Sequence, residues 1–324
     1  MRKLLVSGIC ALAFASAGAN AASYPSRPIT MIVPFGAGGP TDTIARIIAE
    51  RLGPVLGTTV VVENVGGAAG SIGVGKVVQA APDGYTLSIG HWGTHAVNSL
   101  VLPLKYDVAR DLAPISLVAS NPYLILSKKA LPASDLAGLI AWLKARPHAA
   151  WVASNGVGSA GYLIGSRFKA ATGTDIGFVP YRGGIGDSIK DLVSGRIDLM
   201  FDQVASSMPF VRAGTIRAYA VTAKSRLAVA PDIPTVDEAG LPGFHFAAWH
   251  GIWAPKGTPA DIVDKLNRAV VTTLADASVR ERLTKIGQQI PPRERQTPEA
   301  LATQQRAEIE QWRPIVGAAG AGEH

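Results

Sequence analysis

A single cysteine, Cys10, is the only thiol in this chain of 324 residues. No disulfide, thiolate metal centre or thiol nucleophile can be built around it. Charge is also sparse, at 17% of residues, and no cluster of Lys and Arg with interleaved aromatics is present to track a nucleic acid. Aromatic residues make up only 6% of the chain. There is no low-complexity segment, long charge run or sustained heptad. The apolar run at the start, Leu4 to Ala19, is 16 residues long, short of the ~20 that a membrane-spanning helix needs.

That run is preceded by Arg2 and Lys3 and followed by the small residues Ala19, Asn20 and Ala21. The pattern is that of a cleaved export signal covering residues 1–22, with the cut after Ala21 or Ala22. A soluble, exported protein is therefore expected. Without Arg2 and Lys3 the 31 basic residues fall to 29, against 24 acidic ones, a formal charge of +5. This balance suits a small anionic ligand. About 300 remaining residues exceed the usual size of one domain, so two are expected.

Glycine is abundant, at 35 residues against an average near ~7% of a chain, and it recurs in one context. "ITMIVPFGAGGPTDTIAR" reads as a strand, Ile29 to Val33, then a bare loop, then a helix with Ile44, Ile47, Ile48 and Leu52 on one face. Glycine there either serves a tight turn or lets a ligand approach main-chain N–H groups at a helix start. The pattern returns five times: at "TVVVENVGGAAGSIG", with its loop at Asn64 to Ser71; at "YTLSIGHWGTHAVN", turning through Gly90 to Thr94; and at "AAWVASNGVGSAGY", turning through Ser154 to Ser159. It returns again at "FVPYRGG", through Tyr181 to Gly184, and at "IDLMFDQVASS", through Phe201 to Ser206. Strands alternating with helices at this spacing predict an α/β fold with mainly parallel sheets. Ligands of such sheets sit beyond the carboxyl ends of the strands, where these loops lie. Asp202 and Arg182 are polar anchors at such strand ends.

The C-terminal third differs. It reads as amphipathic helices opened by Thr258-Pro259 and Thr297-Pro298 as cap and first turn, with core faces including Ile262, Leu266, Val270, Leu301 and Trp312.

Several catalytic motifs are approached but not met. "GSIGVGKV" has P-loop spacing but places Val77 where Mg²⁺ needs Ser or Thr. "GVGSAG" fits a dinucleotide fingerprint, with Asp175 downstream, yet lies mid-chain in an exported protein. "HWGTH" spaces His91 and His95 like zinc ligands without the Glu of that motif. No serine elbow is present. No cofactor, metal site or catalytic residue is expected.

Taken together, "ITMIVPFGAGGPTDTIAR", "VVVENVGGAAGSIG", "GTHAVN", "GSAG", "VPYRGG", "DLMFDQVASSMPFVRAGTIRAYAVT" and "WHGIWAPKGTP" resemble, in order along the chain, the extracytoplasmic receptors of tripartite tricarboxylate transporters, the Bug-type solute-binding proteins. The resemblance implies a two-lobed periplasmic-binding-protein fold (type II-like) with a cleft between lobes and two hinge crossings, placed near Ser120 and Ala248. Lobe I is then 23–120 plus 248–324 and lobe II 121–247. It implies a monomer that is no enzyme, captures a small mono- or dicarboxylate, aliphatic or aromatic, in the periplasm, and delivers it to membrane permease subunits. A sensor for a signalling kinase and an exported α/β hydrolase are the alternatives. It further implies a ligand held by backbone amides and waters. In lobe I these come from Phe35, Gly38, Gly39, Thr41 and Asp42; from Gly66, Gly67, Ala69, Gly70 and Ser71; and from Thr94, His95 and Asn98. In lobe II they come from Ser154, Asn155, Ser159, Tyr181, Gly183, Gly184 and Asp202, with Arg182 as the cleft cation and Trp249 near the return crossing. Trp92, in place of a small loop residue, and Val65, where such receptors often carry Arg-Pro, are expected to reshape the pocket.

Overall fold

The computed structural model describes residues 24–154, 159–181 and 185–320. The export signal therefore lies outside the described residues. The elements run β1 (Ile29–Val33), α1 (Pro40–Leu56), β2 (Val60–Asn64), α2 (Ser71–Val78), β3 (Thr86–His91), α3 (Asn98–Val101), β4 (Leu112–Lys128) and α4 (Leu136–Lys144). They continue with β5 (Trp151–Ser154), α5 (Ala160–Thr172), β6 (Gly177–Pro180), α6 (Ile185–Ser194), β7 (Leu199–Gln203), α7 (Val204–Arg212) and β8 (Ile216–Val221). After a long connection come β9 (Ala247–Pro255), α8 (Ala260–Ala275), α9 (Ala277–Lys285) and α10 (Pro298–Gly320).

The strands form two groups. β2, β1 and β3 pair in parallel, and β9 closes that group antiparallel to β3. In the second group β6, β5 and β7 are parallel, and β8 joins through β4. Strand β4 belongs to both. From Leu112 to Pro122 it pairs antiparallel with β9, and from Tyr123 onward with β7 and β8. The α/β alternation predicts a parallel sheet, and β1, β2, β3, β5, β6 and β7, each joined to the next element by a helix, are the strands that pair in parallel. The antiparallel strands β4 and β9 are the chain's two passages between the groups, and β9 ends a return that has no crossover helix.

Each parallel group buries its apolar strand faces under helices. α1, with Ile44, Ile48 and Leu52 fully buried, covers β1 together with α8. The first-group core also contains Leu266, Val270 and Leu283 from α8 and α9, so the C-terminal helices lie against the N-terminal strands. Thr297 Oγ1 accepts from Ala300 N and caps α10 as expected. Thr258 does not cap α8. Its hydroxyl is taken up instead by Pro255 O, to which it donates at 2.8 Å, and Pro259, with extended backbone at φ −53° and ψ 141°, stands in the cap position.

The loops are held by close approach of backbone. A Cβ on Gly73 in α2 would stand 2.4 Å from Val65 O and 2.8 Å from Pro34 Cα, whereas a Cβ on Gly186 in α6 would meet nothing within 4 Å. We therefore expect Gly73→Ala to cost about 1–3 kcal/mol by overpacking. Gly186→Ala should be neutral or add roughly 0.5–1 kcal/mol through helix propensity. Paired urea denaturation curves check the contrast.

Candidate functional site

Three of the six loops meet at the carboxyl ends of β1, β2 and β3. The first leaves β1 at Pro34 and enters α1 with Gly39 extended at the cap position and Pro40 in the first turn. Gly38 is left-handed, with φ at +84°. The amides of Thr41 and Asp42 precede the first helical bond, from Thr43 N to Gly39 O, and so have no intrahelical acceptor. Asp42 is buried and turned back under the loop. It accepts from Gly38 N at 2.8 Å, Arg46 Nε at 3.0 Å and Asn64 Nδ2 at 3.0 Å. Asn64 also donates to Phe35 O, tying the second loop to the first. Burial alone would raise the Asp42 carboxyl, but its bonds from Arg46, Gly38 and Asn64 outweigh that and hold it below the ordinary value.

The second loop contains four successive residues of positive φ: Gly67, Ala68, Ala69 and Gly70. Two alanines in that region are strained backbone. Asn98 Nδ2 secures the loop by donating to Ala69 O at 2.8 Å. Gly70 must be glycine, because a Cβ there would lie 2.6 Å from Thr94 Cγ2. Gly66 packs on the backbone of Phe35 and Gly36. The third loop winds into a π-helical turn, Gly93–Val97. Thr94 Oγ1 is bonded to the His91 backbone and to His95 Nδ1. Phe35, Gly38, Gly39, Thr41, Asp42, Gly66, Gly67, Ala69, Gly70, Ser71, Thr94 and Asn98 thus form one assembly.

His95 does not present a ring atom to a ligand. It is fully buried, stacked on Trp253 at 3.8 Å, and both its nitrogens are engaged, by Ser88 and Thr94. Its place is behind the loop. It belongs to a set of imidazoles, with His250 also buried and His91 half-buried, that the sequence pattern does not single out as a group. His91 stacks under Phe35, and His250 of β9 contacts His91 edge-on and bonds Thr41 Oγ1 at 3.2 Å. Burial lowers His91 to about 4 and His95 to about 3, and holds His250 well below its ordinary value. At neutral pH the three are uncharged.

In the second strand group a cavity of about 230 Å³ opens at the ends of β5 and β7. It is lined by Ser154, Ser159, Ser188, Ser206, Asp202 and Gln203, with Tyr123 of β4 and with Pro40 reaching in from α1. Ser159 caps α5 by accepting from Tyr162 N. Asp202 is buried and accepts from Ser207 Oγ. Burial raises its carboxyl above the ordinary value, against opposing bonds from Ser207 and from the Gln203 amide. Phe201 to Ser206 is not the turn expected: β7 continues through Gln203 and α7 begins at Val204 without a loop. Continued pairing of Asp202 and Gln203 with β4 keeps them in the strand. Ser188 escapes the sequence reading because no glycine or motif marks it, and Gln203 and Ser206, though inside the "DLMFDQVASS" motif, are not picked out there as site residues.

The structure thus brings Ser154, Ser159 and Asp202 together, and the first-lobe assembly touches this cavity through Pro40. Tyr181 turns away: its hydroxyl donates to Asp191 Oδ2 at 2.9 Å. Asn155, Arg182, Gly183 and Gly184 lie outside the described residues. Trp249 is placed elsewhere, on a separate cavity described below, because its strand partner Ser120 faces that side. Trp92 does not reshape the site either. It is buried against Phe246 and Trp312, since the π-helical turn points it into the core. Lys76 of the P-loop-like segment pairs with Glu63, and Asp175 of the dinucleotide-like segment with Lys169 and His148. Among the described residues no group of three His, Asp or Glu could hold a metal, and no helix is long and apolar enough to cross a membrane.

Two strand groups joined through one shared strand, β4, and a return through β9, with a cavity at the strand ends, define the two-lobed class of solute-binding proteins. The chain belongs to the tripartite tricarboxylate transporter receptor family, whose model matches residues 44–320. It is 36% identical over 329 aligned positions to the protein BugT of Bordetella pertussis, covering 99% of this chain and 98% of that one. Among solved structures it is similar to MatC of Rhodopseudomonas palustris with bound malate, at 39% identity and a TM-score of 0.74, covering 90% of this chain and all of that one. It is also similar to an R. palustris protein with adipate, at 37% identity and a TM-score of 0.76, covering 92% and 98%.

Asp42 supplies a test of the loop assembly. Asp42→Ala removes the acceptor that ties the exposed Gly38 amide and the half-buried Asn64 side chain to the helix, and should cost about 0.5–1.5 kcal/mol at pH 7. The folded carboxyl is held below its ordinary value, so its contribution is present above the ordinary carboxylate range and is lost as pH falls through the folded value. The difference between wild type and variant should therefore shrink in acid, as denaturation at pH 7 and pH 3 will report.

Proposed function

We propose that this receptor captures a small carboxylate between its lobes in the periplasm and hands it to the membrane subunits of a tripartite transporter, without chemical turnover. The division is at the crossings near Ser120 and Ala248, with 23–120 and 248–324 in one lobe and 121–247 in the other. One observation carries the reading: a first-lobe cradle of backbone, with neutral imidazoles behind it, meets through Pro40 a serine-lined cavity at the strand ends of the second lobe. A carboxylate there is met by helix N-termini and hydroxyls rather than by an ion pair. The malate and adipate bound by similar receptors support the ligand class.

Asp202 adds selectivity. A buried carboxyl on the cavity wall repels a plain anion but accepts from a ligand hydroxyl or amine, so it favours carboxylates bearing a donor.

A thermal-shift panel of mono- and dicarboxylates should contain at least one stabiliser. At 100 times its Kd a ligand adds ~2.7 kcal/mol, roughly 5–10 °C for a lobe-sized unit, while neutral sugars should do nothing. Stabilisation by sugars when every carboxylate fails contradicts the ligand class. Asp202→Ala should erase a preference for hydroxylated over plain dicarboxylates. A Cβ at Gly39 has no neighbour closer than 3.8 Å, so Gly39→Val should fold. It should nevertheless weaken binding more than Arg182→Ala does, as calorimetry on both variants will show; the reverse ranking points to ion pairing.

A further inference from the structure

The β4–β9 ribbon has two faces; from Ser120 to Tyr123 the residues of β4 alternate between them, while before that the register shift between Leu117 and Ala119 breaks the alternation. Tyr123 lines the inter-lobe cavity and Asn121 bonds Gln203 on that wall. Ser120 and Pro122, with their cross-strand partners Trp249 and Ala247, line a different cavity of about 500 Å³. That volume lies within the roughly 300–1,000 Å³ usual for small-molecule sites. One bank of this outer cavity comes from the second lobe, at Thr222 to Ser225 and His245 to Ala247. The other comes from the first lobe, at Gln289 to Arg295 and on α10 at Gln304, Glu308 and Gln311. Each bank is fastened to the ribbon. Ser120 and Gln289 exchange two backbone bonds, of 2.8 and 2.7 Å, and Thr222 Oγ1 accepts from Tyr123 N and donates to Phe246 O.

The chemistry of the walls is asymmetric. Leu117, Pro122, Phe246, Trp249 and Pro291 supply apolar surface, and Lys224 and Arg295 stand exposed, one on each bank. The acidic lining group is Glu308, whose two oxygens accept from Trp312 Nε1 at 2.6 Å and Gln304 Nε2 at 2.9 Å. Trp249 Nε1 also faces this carboxyl, without a hydrogen bond of full geometry. Burial raises the Glu308 carboxyl toward the neutral form, against those donors.

We propose that this outer cavity is a second ligand site, for a small amphipathic anion whose apolar body lies on Trp249 and Phe246 and whose charge sits between Lys224 and Arg295. Because the two cavities lie on opposite faces of one ribbon and each is bounded by both lobes, a rotation that narrows one widens the other. Occupancy of the outer site is therefore coupled to occupancy of the inter-lobe site, and the coupling is reciprocal.

The probe is 4-phenylbutyrate, with binding to the full exported chain followed by calorimetry and by tryptophan fluorescence. One equivalent should bind. The Lys224→Glu, Arg295→Glu double variant should bind about tenfold more weakly, and Ser225→Trp, at an exposed position on the rim, should block the site. Gly39→Val should leave probe binding intact. Saturating probe should change the affinity for adipate by the same factor that saturating adipate changes affinity for the probe. Absence of probe binding overturns the site, as does binding that survives the charge reversals and the rim block but is lost in Gly39→Val, which places the probe in the inter-lobe cavity. Equal adipate affinity with and without bound probe overturns the coupling. The probe arms need no inter-lobe ligand, so they stand or fall separately from the carboxylate reading above.

Discussion

The antiparallel ladder between β4 and β9 is the constraint on which the molecule depends. It runs from Leu112 opposite Pro255 to Pro122 opposite Ala247, and one residue further β4 begins to pair with β7 and β8. One strand is thus shared by two sheets whose other members do not pair with each other, and the lobes are joined where the ladder passes from one to the other. Register shifts at Pro114/Ser116 and Leu117/Ala119 interrupt the ladder on the first-lobe side. Such irregularities bend and twist a strand. Capture of a ligand between the lobes, as proposed above, requires relative motion about this ribbon, as hinge motions occur at a few connecting residues.

Neutrality organises the first-lobe side. Positive charge is the obvious way to hold an anion, yet burial keeps the imidazoles behind these loops uncharged, and the Asp42 carboxylate is engaged by the loop's own amide and by Arg46 and Asn64. The arrangement stiffens backbone. Positive φ at Ala68 and Ala69 is maintained by Asn98 on one side and by the close approach of Gly70 to Thr94 on the other. A pre-set array of main-chain dipoles needs little reorganisation when a charge arrives.

What the sequence makes legible is local. Glycine or small polar residues between a β-branched run and a helical pattern mark a strand-to-helix junction, and all six junctions have the strand before and the helix after. The resemblance then identifies the family from motifs in order. What stays hidden is set by distant pairing. Asn64 and His250 organise the first-lobe loops through contacts to Asp42 and Thr41, 22 and 209 residues away in sequence, and no local pattern signals that. Asp202 reads as part of a turn because the small residues Ala205, Ser206 and Ser207 follow it. Those residues lie within α7, and pairing with β4, far off in sequence, holds Asp202 in the strand. For Trp92 and Trp249, position in a motif is a poor guide, because the direction of each side chain follows from the turn or strand face on which it sits.

Closure of the lobes about the β4–β9 ribbon over a bound carboxylate is the central claim. Small-angle scattering of the exported chain, with and without a saturating ligand from the thermal-shift panel, tests it most directly, with far-UV circular dichroism recorded on the same samples. Closure requires a smaller radius of gyration in the bound state and an unchanged dichroism spectrum. An identical radius in both states, with binding confirmed by calorimetry, contradicts it.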